Sequence, residues 1–304
     1  MTPRSPLLVA LALSAALALS PPGRQEEHGR PVILMIHGRG MGDRDTAALR
    51  KLWFDGLVSG AKGVTSQRLI NEGDVRLVWY ADVLDPRSTD RCEYAPGDPR
   101  ARRDARTDPD VKAAVSLLGN VAGALASLAA GDSSTADLRS LAGDASFLSD
   151  SRARCASERR LAAAIDRASR EGRPVILVAH SLGSIVAYDY LSSRRDTGVV
   201  QRLVSVGSPL GSAGLRHLLI GGDSTDSLAE PPSVRSWVNI SNDGDPLAGP
   251  VSVARNVTTT APSDEPDPHE MVGYLRNSVT AGAVLGGWCA AFSARAPAAC
   301  RGVP

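Results

Sequence analysis

Hydrophobic residues in this chain gather into short unbroken runs, separated by stretches whose apolar positions recur at helical spacing. The segments "GRPVILMIHGRG" (29–40) and "GRPVILVAHSLG" (172–183) each carry an aliphatic run with no polar alternation. Such runs suit central parallel strands covered on both faces. Nothing else around the two segments matches, so their likeness reads as convergence on one structural need and not as an internal repeat. Runs of the same kind follow in "VRLVWYA" (75–81), "VQRLVSVG" (200–207) and "VRSWVNI" (234–240). Between them, "DTAALRKLWFDGLVSGA" (45–61) has amphipathic spacing. "SERRLAAAIDRASR" (157–170) offers Ser157 as a cap and sets Leu161, Ile165 and Ala168 on one face. "SIVAYDYLSS" (184–193) continues the series. Strand–helix alternation of this kind predicts an α/β fold with a mostly parallel central sheet and flanking helices. Ligands of such sheets bind beyond the carboxyl ends of the strands.

One region breaks the rhythm. From about residue 85 to 151 the chain is first charged and proline-dotted, then alanine-rich and helical, which reads as an insertion. Its segment "VKAAVSLLGNVAGALASLAAG" (111–131) is long enough to span a membrane and contains Gly119-x-x-x-Gly123. A span here would put the turn at 37–40 and Ser181 on opposite sides of a bilayer. A cap or lid with an apolar underside is the better reading.

The N-terminus has a pattern of its own. Arg4 precedes an apolar run from Leu7 to Leu19, Ala16-Leu17-Ala18 offers a small-x-small cleavage site, and Pro21-Pro22 follows. The run is too short for a spanning helix, so residues 1–20 read as a signal peptide and 21–30 as a linker. This predicts export, periplasmic or secreted, and no stable span in the mature protein. Lys plus Arg number 34 against 33 Asp plus Glu, which leaves no basic footprint for nucleic acid. The four cysteines, Cys92, Cys155, Cys289 and Cys300, all lie after the signal segment. An even count in an exported chain predicts disulfides. Proximity favours Cys289–Cys300, leaving Cys92–Cys155 to clamp the base of the cap. No C-x-x-C pattern supports a metal or redox site.

The stretch "VAHSLGS" (178–184) nearly spells G-x-S-x-G, with Ala179 in place of the first glycine. Between "PVILV" and "SIVAYDYL" it has the strand–turn–helix context that exposes a serine nucleophile. A serine hydroxyl needs a histidine base, a carboxylate to orient that base and donors for the developing oxyanion. Among five histidines, His28 falls in the linker, and His37 ends the first strand, where it shapes a loop. His180 adjoins the serine and projects elsewhere, and His217 lies on a helical stretch. His269 in "DPHEMVGYLRN" remains as the base. The acid belongs between serine and histidine in chain order, where "VRSWVNISNDGDPLAG" offers Asp245 first and Asp243 second. Asp267 is too near His269 to reach round its ring. Backbone N–H groups of Leu182 and of Arg39 in "HGRGMG", with Gly40 as the alternative to Arg39, fit the oxyanion site.

In "ILMIHGRG", "LVAHSLGSIVAYDYL", "WVNISNDGDPLA" and "PHEMVGYL", taken in this order, the chain resembles the α/β-hydrolase superfamily, in its bacterial lipase/esterase-like branch. "LVSVGSPLG" (203–211) and "VWYADVL" are also similar to strand segments of that branch. The resemblance covers roughly residues 31 to 285 without the cap, and it implies a hydrolase domain over 31–304 with the cap inserted at about 85–151. It further implies a Ser181–Asp245–His269 triad hydrolysing small-molecule or lipid esters through an acyl-enzyme, with no cofactor and no metal. An acyltransferase using the same triad and a non-catalytic lipid-binding protein are the alternatives. The substrate, like the oligomeric state, is left open.

Overall fold

The structure is a computed structural model that describes residues 29–38, 40–42, 44–85, 87–102, 147, 150–211, 228–260, 262, 264–292 and 296–304. Its strands are β1 (Val32–Ile36), β2 (Val75–Val78), β3 (Val175–His180), β4 (Val200–Val206), β5 (Trp237–Asn242) and β6 (Arg255–Thr259). They form one sheet in the order β2-β1-β3-β4-β5-β6, with every pair parallel. The helices are α1 (Thr46–Ala61), α2 (Ala81–Leu84), α3 (Ser151–Arg170), α4 (Leu182–Ser193), α5 (Met271–Arg276) and α6 (Ser278–Ala290).

The unbroken aliphatic runs follow from burial on both faces. Along β1 and β3, Val32, Leu34, Ile36, Val175, Leu177 and Ala179 enter one core, beneath Leu161 and Ile165 of α3 and Ile185 and Tyr188 of α4. Ile33, Met35, Ile176 and Val178 enter the other, beneath Trp53 and Leu57 of α1, Tyr274 of α5 and Val284 and Trp288 of α6. Side chains alternate across a strand, so a strand sandwiched between helices has no polar side to show. β1 and β3 are neighbours although the chain visits β2 between them. The chain therefore leaves their carboxyl ends in opposite directions along the sheet, and such switch points are where sheets of this kind bind ligands.

Three elements depart from the sequence pattern. The helix expected from Ser157 starts at Ser151, capped by Asp150, whose side chain accepts from the Arg152 amide at 2.9 Å. Ser157 lies inside that helix and donates to Ala153 O at 2.9 Å. The strand expected from Val234 starts at Trp237, and Val234 makes only an isolated bridge to Val200. β6 has no hydrophobic run at all: in "RNVTT" only Thr259 is buried, because an edge strand needs little apolar surface.

The repeated "GRP" ahead of β1 and β3 has a shared purpose. Arg30 and Arg173 converge on Asp74, the residue before β2, at 2.8 Å and 3.0 Å. Arg173 also donates to the carbonyls of Arg30 (2.9 Å) and Pro31 (2.8 Å), stitching the amino ends of the three strands. Asp74 and Arg173 are buried. Removing one partner of a buried ion pair leaves a desolvated charge behind. Asp74→Ala should therefore cost about 3–5 kcal/mol, read as a lower denaturant midpoint with an unchanged slope; a midpoint within error of wild type would refute the pairing.

Both disulfides form as expected, Cys92–Cys155 and Cys289–Cys300. The first ties the segment entering the expected cap to α3. Ion pairs run alongside it: Arg100 to Glu158 at 2.5 Å, Arg152 to Glu93 at 2.5 Å, and Arg160 to both Asp82 and Asp90 at 2.7 Å. Tyr94 adds a hydrogen bond to Glu158 at 2.7 Å. The stretch 111–131, expected to be helical, and the expected signal peptide lie outside the described residues. Among the described residues no helix is long and apolar enough to cross a membrane.

Candidate active site

β3 ends on His180, and the chain turns into α4 at Ser181. There φ is 50° and ψ is −126°, and Ser181 is the one non-glycine residue with positive φ among the described residues. A side chain held in this region is strained and persists only where its surroundings over-determine it. Here the Ser181 amide donates to Val206 O (3.1 Å), and Ser184 Oγ donates to Ser181 O (2.6 Å). Ser184 Oγ is itself braced against Ser208 Oγ at 2.7 Å.

The two positions that G-x-S-x-G reserves for glycine have different surroundings. A Cβ on Gly183 would stand 2.4 Å from His37 O and 2.9 Å from Ile36 O, both backbone atoms of the neighbouring strand and its loop. Glycine is required there. Ala179 pairs with Ile36 and Ser205 in the sheet, and its methyl lies in the core with Leu177 and Ile36. Ala179→Gly, which completes the motif, should leave kcat/KM within about twofold and cost about 1–2 kcal/mol of stability through lost burial and added chain entropy. A large gain in kcat/KM would mean that the methyl obstructs the turn after all.

The sheet brings Ser181, His269 and Asp245 together. His269, in the loop before α5, lies with Nε2 2.9 Å from Ser181 Oγ and Nδ1 2.8 Å from Asp245 Oδ2. Asp245 stands in the turn after β5 and is buried. Burial pushes its carboxyl upward, but hydrogen bonds from His269, Tyr274 and the Leu247 amide outweigh that and hold it below the ordinary carboxylate range. Asp245 therefore stays charged at neutral pH and can face an imidazolium. Asp243, the second candidate, is exposed and sits 3.3 Å from Thr260 Oγ1. Asp267 accepts from the His269 amide at 2.8 Å and shapes the loop instead.

The histidine loop is fixed from two strand ends. Asn242 Nδ2 donates to Pro268 O at 3.1 Å, and His180 Nε2 lies 2.7 Å from His269 O, a carbonyl that can only accept. His180 is thus not turned away from the chemistry: it carries its proton on Nε2 and anchors the loop that presents His269. His37 does shape its loop. Its Nε2 accepts from the Tyr80 amide (3.2 Å), so Nδ1 carries the proton and donates to Gly38 O (2.5 Å). His28 and His217 lie outside the described residues.

Gly207, at the carboxyl end of β4, makes room for the constellation. Its φ is 56°, and a Cβ there would come within 3.2 Å of both Asp245 Oδ2 and His269 Cε1. The backbone N–H of Leu182 heads α4 beside Ser181, where helix dipole and free amides favour negative charge. Gly38 packs against Ser181 as well: a Cβ there would fall 2.8 Å from Ser181 Cβ. Arg39 lies outside the described residues, while Gly40 is exposed with φ at 71°. No cluster suited to a metal ion occurs among the described residues. Sequence reasoning missed Tyr274, Asn242, Gly207 and the role of His180. Only Gly207, a glycine ending a predicted strand in "VSVGSP", left a local signal.

An all-parallel sheet with helices on both faces and a strained serine at the end of a central strand has the architecture of the α/β-hydrolase superfamily. A profile of the lecithin:cholesterol acyltransferase family matches residues 155–238, from α3 through β3, Ser181 and α4 to β5. The matched stretch ends before Asp245 and His269. Comparison with curated proteins and with solved structures finds no match.

Proposed function

We propose that this chain is an exported serine hydrolase acting on carboxylic esters, with Ser181 as nucleophile, His269 as general base and Asp245 as its orienting carboxylate. The unbroken Ser181–His269–Asp245 hydrogen-bond chain, at 2.9 Å and 2.8 Å, carries the reading. Ser181 Oγ attacks the ester carbonyl while its proton passes to His269 Nε2. The oxyanion faces the Leu182 amide, with Arg39 proposed as the second donor. His269 returns the proton to the leaving alcohol as the tetrahedral intermediate collapses. A second nucleophile then attacks the acyl carbon while its proton passes to His269, which hands that proton to Ser181 Oγ as the acyl–serine bond breaks. Two disulfides suit an oxidising compartment and support export.

The second nucleophile is water in a hydrolase and an alcohol in an acyltransferase. The match of residues 155–238 to the lecithin:cholesterol acyltransferase family favours a lipid ester as donor and keeps transfer as the second reading. The primary test is covalent labelling with a fluorophosphonate: wild type labels, whereas Ser181→Ala and His269→Ala do not. Equal labelling of all three would overturn the triad. Release of acid against transferred ester from a p-nitrophenyl ester, with a long-chain alcohol present, then separates hydrolysis from transfer.

A further inference from the structure

Tyr274 lies on α5, five residues beyond His269, with only 2% of its surface exposed. Its hydroxyl oxygen is 2.7 Å from Asp245 Oδ2 and 3.0 Å from the Asn242 amide nitrogen. An amide N–H can only donate, so the phenol oxygen accepts from Asn242 and its single proton points to the carboxylate. Oδ2 is also the oxygen that faces His269 Nδ1, while Oδ1 receives the Leu247 amide at 2.9 Å. Two donors therefore converge on one oxygen, and only one of them gains charge in the reaction. Burial and the Asp245 charge push the Tyr274 phenol well above its ordinary range, so it remains a donor wherever the protein is folded.

We propose that Tyr274 is a positioning residue that aims Asp245 at His269 and tempers the basicity of the Asp245–His269 pair. The proposal rests on the reading of Ser181, His269 and Asp245 given above. A tyrosine present only to fill space between β5 and α5 would use its ring, and phenylalanine would serve as well. The hydroxyl adds something the ring does not: it shares Asp245 Oδ2 with His269 Nδ1, holds the carboxylate in place and draws off part of its charge. Without that hydrogen bond, Asp245 keeps more charge for His269, and the pair takes up a proton at higher pH.

The test is the rate constant for fluorophosphonate inactivation measured across pH. In Tyr274→Phe the acid limb should move up by about one pH unit, the shift that one charged hydrogen bond of ordinary strength produces. Replacing Tyr274 by 3-fluorotyrosine keeps the shape but makes the hydroxyl a stronger donor, and the limb should move the other way. This second variant decides the matter even if Tyr274→Phe fails to fold. An acid limb at the same pH in wild type and fluorotyrosine enzyme, or a shift of the wrong sign, would overturn the proposal. Ser181→Ala separates the two failures. If it labels like wild type, the triad and the Tyr274 role fall together. If it is silent while the limb stays fixed, only the Tyr274 role falls.

Discussion

Asp245→Asn should lower kcat for a p-nitrophenyl ester by about 10,000-fold with little change in KM, while Asp243→Asn leaves it within about threefold. The contrast follows from what each carboxylate touches. Asp245 Oδ2 lies 2.8 Å from His269 Nδ1 and is buried, so the charge it offers the developing imidazolium is weakly screened. Asparagine presents either an N–H, which repels the Nδ1 proton and selects the wrong tautomer, or a neutral oxygen that stabilises an imidazolium far less. The serine then has no competent base, and the loss appears in kcat because the interaction strengthens only as the proton moves. Asp243 contacts Thr260 at the surface, and its amide analogue keeps that hydrogen bond. Steady-state kinetics on both variants, with circular dichroism to verify folding, provides the check. Comparable losses in the two would mean that the turn, rather than one carboxylate, carries the effect.

Asp-Pro geometry, a local feature, favours Asp245 over Asp243 in the sequence, and other local features of the fold are legible there. The runs at β1 and β3 announce burial on both faces because every side chain there meets a helix. Gly183 announces a close approach, and the His37 carbonyl supplies it. Ser181, Asp245 and His269 stand out in the sequence because each lies near the end of a recognisable strand or the start of a helix. What escaped notice depends on neighbours remote in sequence. β6 is polar because an edge strand has one partner and little cover. Asp150, seven residues before the expected cap Ser157, starts α3 because its carboxylate reaches the Arg152 amide. The echo of "GRPVIL" was visible, but its cause, a single Asp74 between two arginines, needs the three strands assembled. His180 reads as a turn residue and Tyr274 carries no signal in the sequence, because their partners, His269 O and Asp245 Oδ2, are remote along the chain.

The same buried histidines make the fold sensitive to acid in a range where most carboxylates remain charged. Burial lowers the pKa of His37 to about 4. Burial, and then the neighbouring His269, lower that of His180 to about 3. In the unfolded chain both titrate near the ordinary value of about 6.5. Above that value neither state binds these protons, and both histidines remain neutral in the fold. As the pH falls below it, the unfolded chain takes up two protons that the folded protein refuses, so stability drops with falling pH. With each group worth about 1.4 kcal/mol per unit, the pair should remove about 5 kcal/mol between pH 6.5 and pH 4.5. That is a large part of the total stability of an ordinary domain. Below pH 4 the folded His37 accepts its own proton, and only His180 continues the decline. Denaturant midpoints measured at half-unit steps from pH 7 to pH 4.5 should fall steadily. His180→Gln keeps a donor for the His269 carbonyl but cannot be protonated, so it should halve the slope; an unchanged slope would exclude His180 as a source of the acid sensitivity.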